Sequence, residues 1–144
     1  MTTFESITSL TAPWVHRVTR SQADLIRNAA TEVDILVIEL DGSKMRTVHG
    51  LFEEYVRNFS FPEYFGWSWN AFDECSYHLD WLPARKYLTM ITHAGNVLSS
   101  ERKALENYLD HVEGVGKRWS TTVGLGYEWG HGEVPFHTVL VEDE

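Results

Sequence analysis

The sequence predicts an α/β protein: a small parallel three-stranded sheet packed with helices, preceded by an N-terminal extension. Two observations carry this. Three short runs, Ile35–Ile38, Tyr87–Ile91 and Phe136–Val141, are dense in aliphatic, β-branched and aromatic residues, as in strands buried on both faces. Between them the apolar residues recur at i, i+3 and i+4, the period of an amphipathic helix. Strands alternating with helices assemble into a parallel sheet through crossover connections.

The elements follow in order. Pro13–Val18 has the composition of a short edge strand within the extension, residues 1–34. Ser21 to Ala30 reads as a helix, with Ser21 as its cap and Leu25, Ile26 and Ala29 as its apolar stripe. Ile35–Ile38 opens the core, residues 35–141, and Asp41-Gly42 ends that strand in a turn. Thr47 caps the next helix, whose buried face is Val48, Leu51, Phe52, Tyr55, Val56 and Phe59. Pro62 closes it, because the residue before a proline avoids helical dihedrals. A further helix starts after Gly66, and Pro83 separates it from the strand at Tyr87–Ile91. Ser99 or Ser100 begins another helix, with Ala104, Leu105, Tyr108, Leu109 and Val112 on one face and a stop at Gly114 and Gly116. Ser120 to Pro135, rich in glycine and aromatics, suits a hairpin or a long loop before the last strand.

At 144 residues, the chain is expected to form one domain spanning 1–144. Its 43% hydrophobic content is enough for a core that needs no metal or disulfide. No segment approaches the ~20 apolar residues of a membrane span, and Met1 to Leu10 lacks the pattern of a signal peptide. With a single cysteine, Cys75, the expected location is the reducing cytoplasm. The net charge of −9 repels nucleic-acid backbones. The nearest thing to a basic patch, Lys117–Arg118, is too short to reverse that. The same charge suits a basic protein partner, although acidity alone also serves solubility.

The most informative stretch runs from Phe61 to Cys75, FPEYFGWSWNAFDEC. Ser68 can cap the helix it opens. Turning about 100° per residue places Ala71, Phe72, Cys75 and Leu79 on one side, with Trp69 at the margin. Asn70, Asp73, Glu74 and Tyr77 share the other side. Tyr64 and Trp67 lie on the loop leading in, at the rim of that polar face. Read on its own, such a face can be a solvated surface whose acids suit the helix dipole, or a binding surface.

Pro62-Glu63-Tyr64-Phe65-Gly66, followed by a helix with Ala71 and Cys75 at these offsets, resembles the signature of the barstar family of intracellular ribonuclease inhibitors. The order of elements from Ile35 to Val141 is similar too. The resemblance implies a barstar-like fold and no catalysis or cofactor. The implied partner is a small extracellular-type ribonuclease, bound one to one, with no direct contact to nucleic acid or membrane. Tyr64, Trp67, Ser68, Asn70, Asp73, Glu74 and Tyr77 would form the contact face. Glu74 would enter the site that binds the substrate phosphate, closing the active-site cleft to RNA. Four positions depart from the family pattern. Ser68 replaces a frequent asparagine, Asn70 an aspartate, Glu74 an aspartate, and Trp67 a residue that is more often polar. A second contact region is implied near the helix at Ser100–Val112, with no residue assignable.

Other chemistries are weaker. Cys75 and His78 are three apart, but Cys75 belongs to the apolar face, where a thiolate is unfavourable. Glu128, His131, Glu133 and His137 offer oxygen and imidazole groups without the spacing of a metal motif, so no metal is expected. A module of the same fold directed at a basic protein other than a ribonuclease stays open.

Overall fold

The computed structural model describes residues 3–121 and 133–142. The elements are α1 (Thr3–Ile7), β1 (Val15–Thr19), α2 (Arg20–Ala30), β2 (Leu36–Asp41), α3 (Val48–Phe59), α4 (Trp69–His78), β3 (Tyr87–Thr92), α5 (Leu105–Trp119) and β4 (Phe136–Glu142). The strands form one parallel sheet in the order β1-β4-β3-β2. That makes four strands where three were expected. The extra strand is β1 from the N-terminal extension, whose residues Val15 to Thr19 pair with Thr138 to Glu142. Its sequence shows an edge strand, with His16 and Arg17 breaking the apolar run. The edge it joins is a property of β4, which no local pattern in β1 encodes.

The two central strands, β3 and β4, are buried along almost their whole length. Side chains alternate between the faces of a strand. Tyr87, Ile91, Phe136 and Leu140 therefore meet Leu51, Phe52, Tyr55, Phe59, Phe72, Tyr108, Val112 and Trp119 of α3, α4 and α5 in the larger core. Leu88, Met90, Val139 and Val141 face the smaller core, closed by Ile7 of α1 and by Ala23 and Ile26 of α2.

A pair of histidines ties the extension to β4. The His137 ring is fully buried, and its Nε2–H donates to Ser9 O at 2.8 Å. That leaves Nδ1 to accept from His16 Nε2–H, also at 2.8 Å. The two bonds fix the His137 ring in its neutral form. Burial, then the neighbouring His137, lowers His16 from 6.5 to about 4. His137 is lowered as well, chiefly by burial.

Three helix expectations need correction. The cap of α2 is Thr19, not Ser21: the Thr19 hydroxyl accepts from Gln22 N–H while the Gln22 side chain accepts from Thr19 N–H. The strand thus runs straight into the helix. Leu25 is 69% exposed, and the buried positions are Ala23, Ile26 and Ala30. Two alanines on the inner face let the helix lie close to the sheet. Finally, α5 continues through Gly114 and Gly116 to Trp119. A Cβ at Gly116 would sit 2.6 Å from Trp14 Cβ and 2.8 Å from Phe136 O, so this glycine permits close packing and does not end the helix. Of the segment Ser120–Pro135, residues 122–132 lie outside the described residues.

Candidate protein-binding site

The loop from 60 to 68 positions the site. Ser60 ends α3 in a left-handed conformation, with its N–H on Val56 O. Phe61 and Phe65 are then buried at 6% and 4% exposure. Their rings pack on each other and on Tyr55, Phe52 and Phe72. With the loop anchored at those two points, Tyr64 and Trp67 turn outward at 73% and 46% exposure. Ser68 then caps α4, its hydroxyl accepting Ala71 N–H at 3.1 Å. Phe72, Cys75 and Leu79 lock the inner face of the helix into the core. Trp119 Nε1–H donates to Ser76 O at 2.8 Å and joins α5 to the end of α4.

The structure places the seven expected site residues unequally. Tyr64, Trp67, Asn70 and Glu74 are exposed and make up the aromatic and polar surface of the loop and α4. Desolvation by the surrounding surface, then the charges of Cys75, Asp80 and Glu74, push the Tyr64 phenol up. Ser68 is exposed too, but its oxygen is engaged as a cap. Asp73 and Tyr77 are half-buried and turned toward α5. The Asp73 carboxylate accepts from His111 Nδ1 at 2.7 Å, and the His111 ring stacks on Trp69 with centroids 4.8 Å apart. Tyr77 lies beneath the Arg118 guanidinium, 4.6 Å from its ring centroid. Burial first, then the Asp73 charge, raise its phenol, while Arg118 opposes them.

Sequence reasoning missed His111, Arg118 and His49, the last of which stacks on Trp67. His111 follows Tyr108 by three residues at the edge of the α5 stripe, which was a usable signal. Arg118 lies beyond the glycines that were expected to end the helix. The partner of His49 comes from the loop conformation, to which the periodicity of α3 says nothing.

The thiol considered in the sequence is not placed as a nucleophile. Cys75 is 3% exposed, and burial, then the Glu74 charge, push its thiol up, away from the reactive thiolate. His78 turns its Nδ1 to the Glu74 carbonyl. Among the described residues no three His, Cys, Asp or Glu side chains converge as metal ligands. Glu128 and His131 lie outside those residues, and His137 is held by Ser9 and His16. No helix among the described residues is long and apolar enough to cross a membrane.

The family model described as Barstar (barnase inhibitor) matches residues 35–141. The chain belongs to the Barstar family. No curated protein matches it. The Barstar match takes in β2 to β4 with α3, α4 and α5, and so the whole aromatic and polar surface. Barstar proteins are inhibitors that bind ribonucleases, not catalysts.

Proposed function

We propose that this Barstar-family protein inhibits a small barnase-type ribonuclease by setting α4 into its active-site cleft, one to one, so that RNA is shut out. The observation that supports this best is the exposed Glu74 carboxylate. It stands on α4 one turn after Asn70, and Tyr64 and Trp67 are exposed on the loop leading into that helix. Ribonucleases hold cationic groups where the substrate phosphate binds, and a fixed carboxylate can occupy that place. The aromatic rim excludes water and strengthens the charge pair, the usual anatomy of a hot spot. Asn70, Asp73, Ser68 and Tyr77 would surround it, with Asp73 and Tyr77 acting partly through α5.

The test is titration calorimetry against barnase, paired with a ribonuclease assay. Wild type should suppress cleavage, and Glu74→Ala should lose more than about 2 kcal/mol of binding free energy. An unchanged dissociation constant would remove Glu74 from the centre of the interface.

One observation favours a second target class. Asn70 is uncharged and Asp73 is already engaged by His111, so the face carries less free negative charge than its sequence suggests. A basic protein other than a ribonuclease is then the alternative partner. Capture of a basic protein with no ribonuclease activity, lost again in Glu74→Ala, would support that alternative.

A further inference from the structure

We propose that the partner-binding surface extends from α4 onto the first turn of α3, where His49 holds Trp67 as a flat ledge for a guanidinium side chain of the partner. This rests on reading the α4 face as a protein-binding site. The His49 imidazole lies nearly parallel to the Trp67 indole, with centroids 5.1 Å apart and planes 21° apart. Both are open to solvent: the His49 side chain is 72% exposed and Trp67 46%. Two exposed rings stacked on each other contribute little to the core. Yet Trp67 also holds a φ of 52°, a left-handed backbone that a bulky residue adopts only where its surroundings keep it there. Phe65, 5.3 Å away, supports the indole from the core side, and His49 supports it from α3. Strain kept at an exposed aromatic points to function, because folding alone gains nothing from it.

Charge selects the occupant. Glu53, one turn along α3, places its carboxylate 3.7 Å from His49 Nε2. An indole whose stacking partner carries a carboxylate at its edge attracts cations. A planar guanidinium fits best, since it can stack on the ring while its N–H groups reach an acid at the border. An acidic partner segment would instead meet like charge and be rejected. His49 is here a positioning residue, and Trp67 is the group that touches the partner.

The test uses barnase as the probe in calorimetry. Trp67→Ala should weaken binding about tenfold. His49→Ala should weaken it about threefold, and His49→Phe, which keeps the stack without the ring nitrogens, should restore it to within about twofold. If Glu74→Ala abolishes binding while Trp67→Ala and His49→Ala leave it unchanged, the ledge is overturned and the inhibitor reading stands. If wild type does not bind barnase, the choice of target fails, and a second measurement decides the ledge. Labelled protein is titrated with N-acetyl-argininamide against N-acetyl-alaninamide and followed by NMR. The Trp67 indole N–H signal, assigned with Trp67→Phe, should move with the arginine compound only, and less in His49→Ala. No arginine-specific movement overturns the proposal.

Discussion

Acid should unlock the N-terminal extension through His16 and His137. In the native state His16 donates to His137 Nδ1, and His137 donates to Ser9 O. His137 cannot take a proton on Nδ1 without losing the bond from His16, and His16 resists one because its ring is half-buried beside His137. The His16 value falls from 6.5 to about 4. Because the folded form resists the proton, the unfolded chain binds it first. The contribution of this pair is therefore full above pH 6.5 and is lost as the pH falls from there through 4. The difference between 6.5 and 4 corresponds to about 3 kcal/mol at its limit. At pH 5 about 2 kcal/mol of that is lost, and screening of the part of the ring that meets solvent reduces the expected loss to about 1 kcal/mol. His137 shifts in the same direction and adds to the loss. The nearest salt bridge, Arg17 with Glu142, projects from the opposite side of its strands and does not compensate. Urea denaturation of wild type and His16→Gln at pH 7.5, 6 and 5 measures the effect. Glutamine keeps a donor for His137 but has no proton to gain, so its stability should be the flatter of the two. Parallel loss in both proteins would show that the pair does not hold the extension in the way described.

Three further outcomes can be checked by the same unfolding measurements. Gly116→Ala forces a methyl against Trp14 and the Phe136 carbonyl and should destabilise by more than about 2 kcal/mol. Thr138→Val should stabilise by about 1 kcal/mol, because the Thr138 hydroxyl is buried at 1% exposure with no hydrogen-bond partner in the described structure. Thr89, its neighbour in register on β3, is in the same state and should respond alike. Asp73→Asn should cost about 1 kcal/mol of folding stability through the weakened bond to His111, and less binding affinity than Glu74→Ala in the calorimetric comparison with barnase.

Much of this molecule is legible in its sequence where local pattern and tertiary environment agree. β3 and the apolar face of α3 are written as density and period, and Ser68 and Thr47 cap as their chemistry directs. The inward Cys75 and outward Glu74 follow from helical rotation alone. What was not legible depends on partners far along the chain. Gly116 reads as a stop because glycine is a poor helix former, but contact with Trp14 outweighs that penalty. Leu25 reads as core because it is apolar, although alanines make the contact with the sheet. The candidate face was visible as a list of residues, while its division into free and engaged groups was not. Nothing in α4 itself reveals that His111 takes Asp73 or that Arg118 covers Tyr77.

The position of β1 also bears on solubility. β4 is buried at every residue from Phe136 to Val141, and β1 supplies its outer neighbour. If β1 detached, a run of β-rich, uncharged residues would become an open edge with unpaired N–H and C=O groups. Such an edge is a template for strand addition by another chain. β1 itself is a poor template. It is short, and it carries Arg17 paired to Glu142 on its exposed side. The extension therefore replaces an edge that invites strand addition with one that discourages it, and the histidine pair fastens that cover to β4.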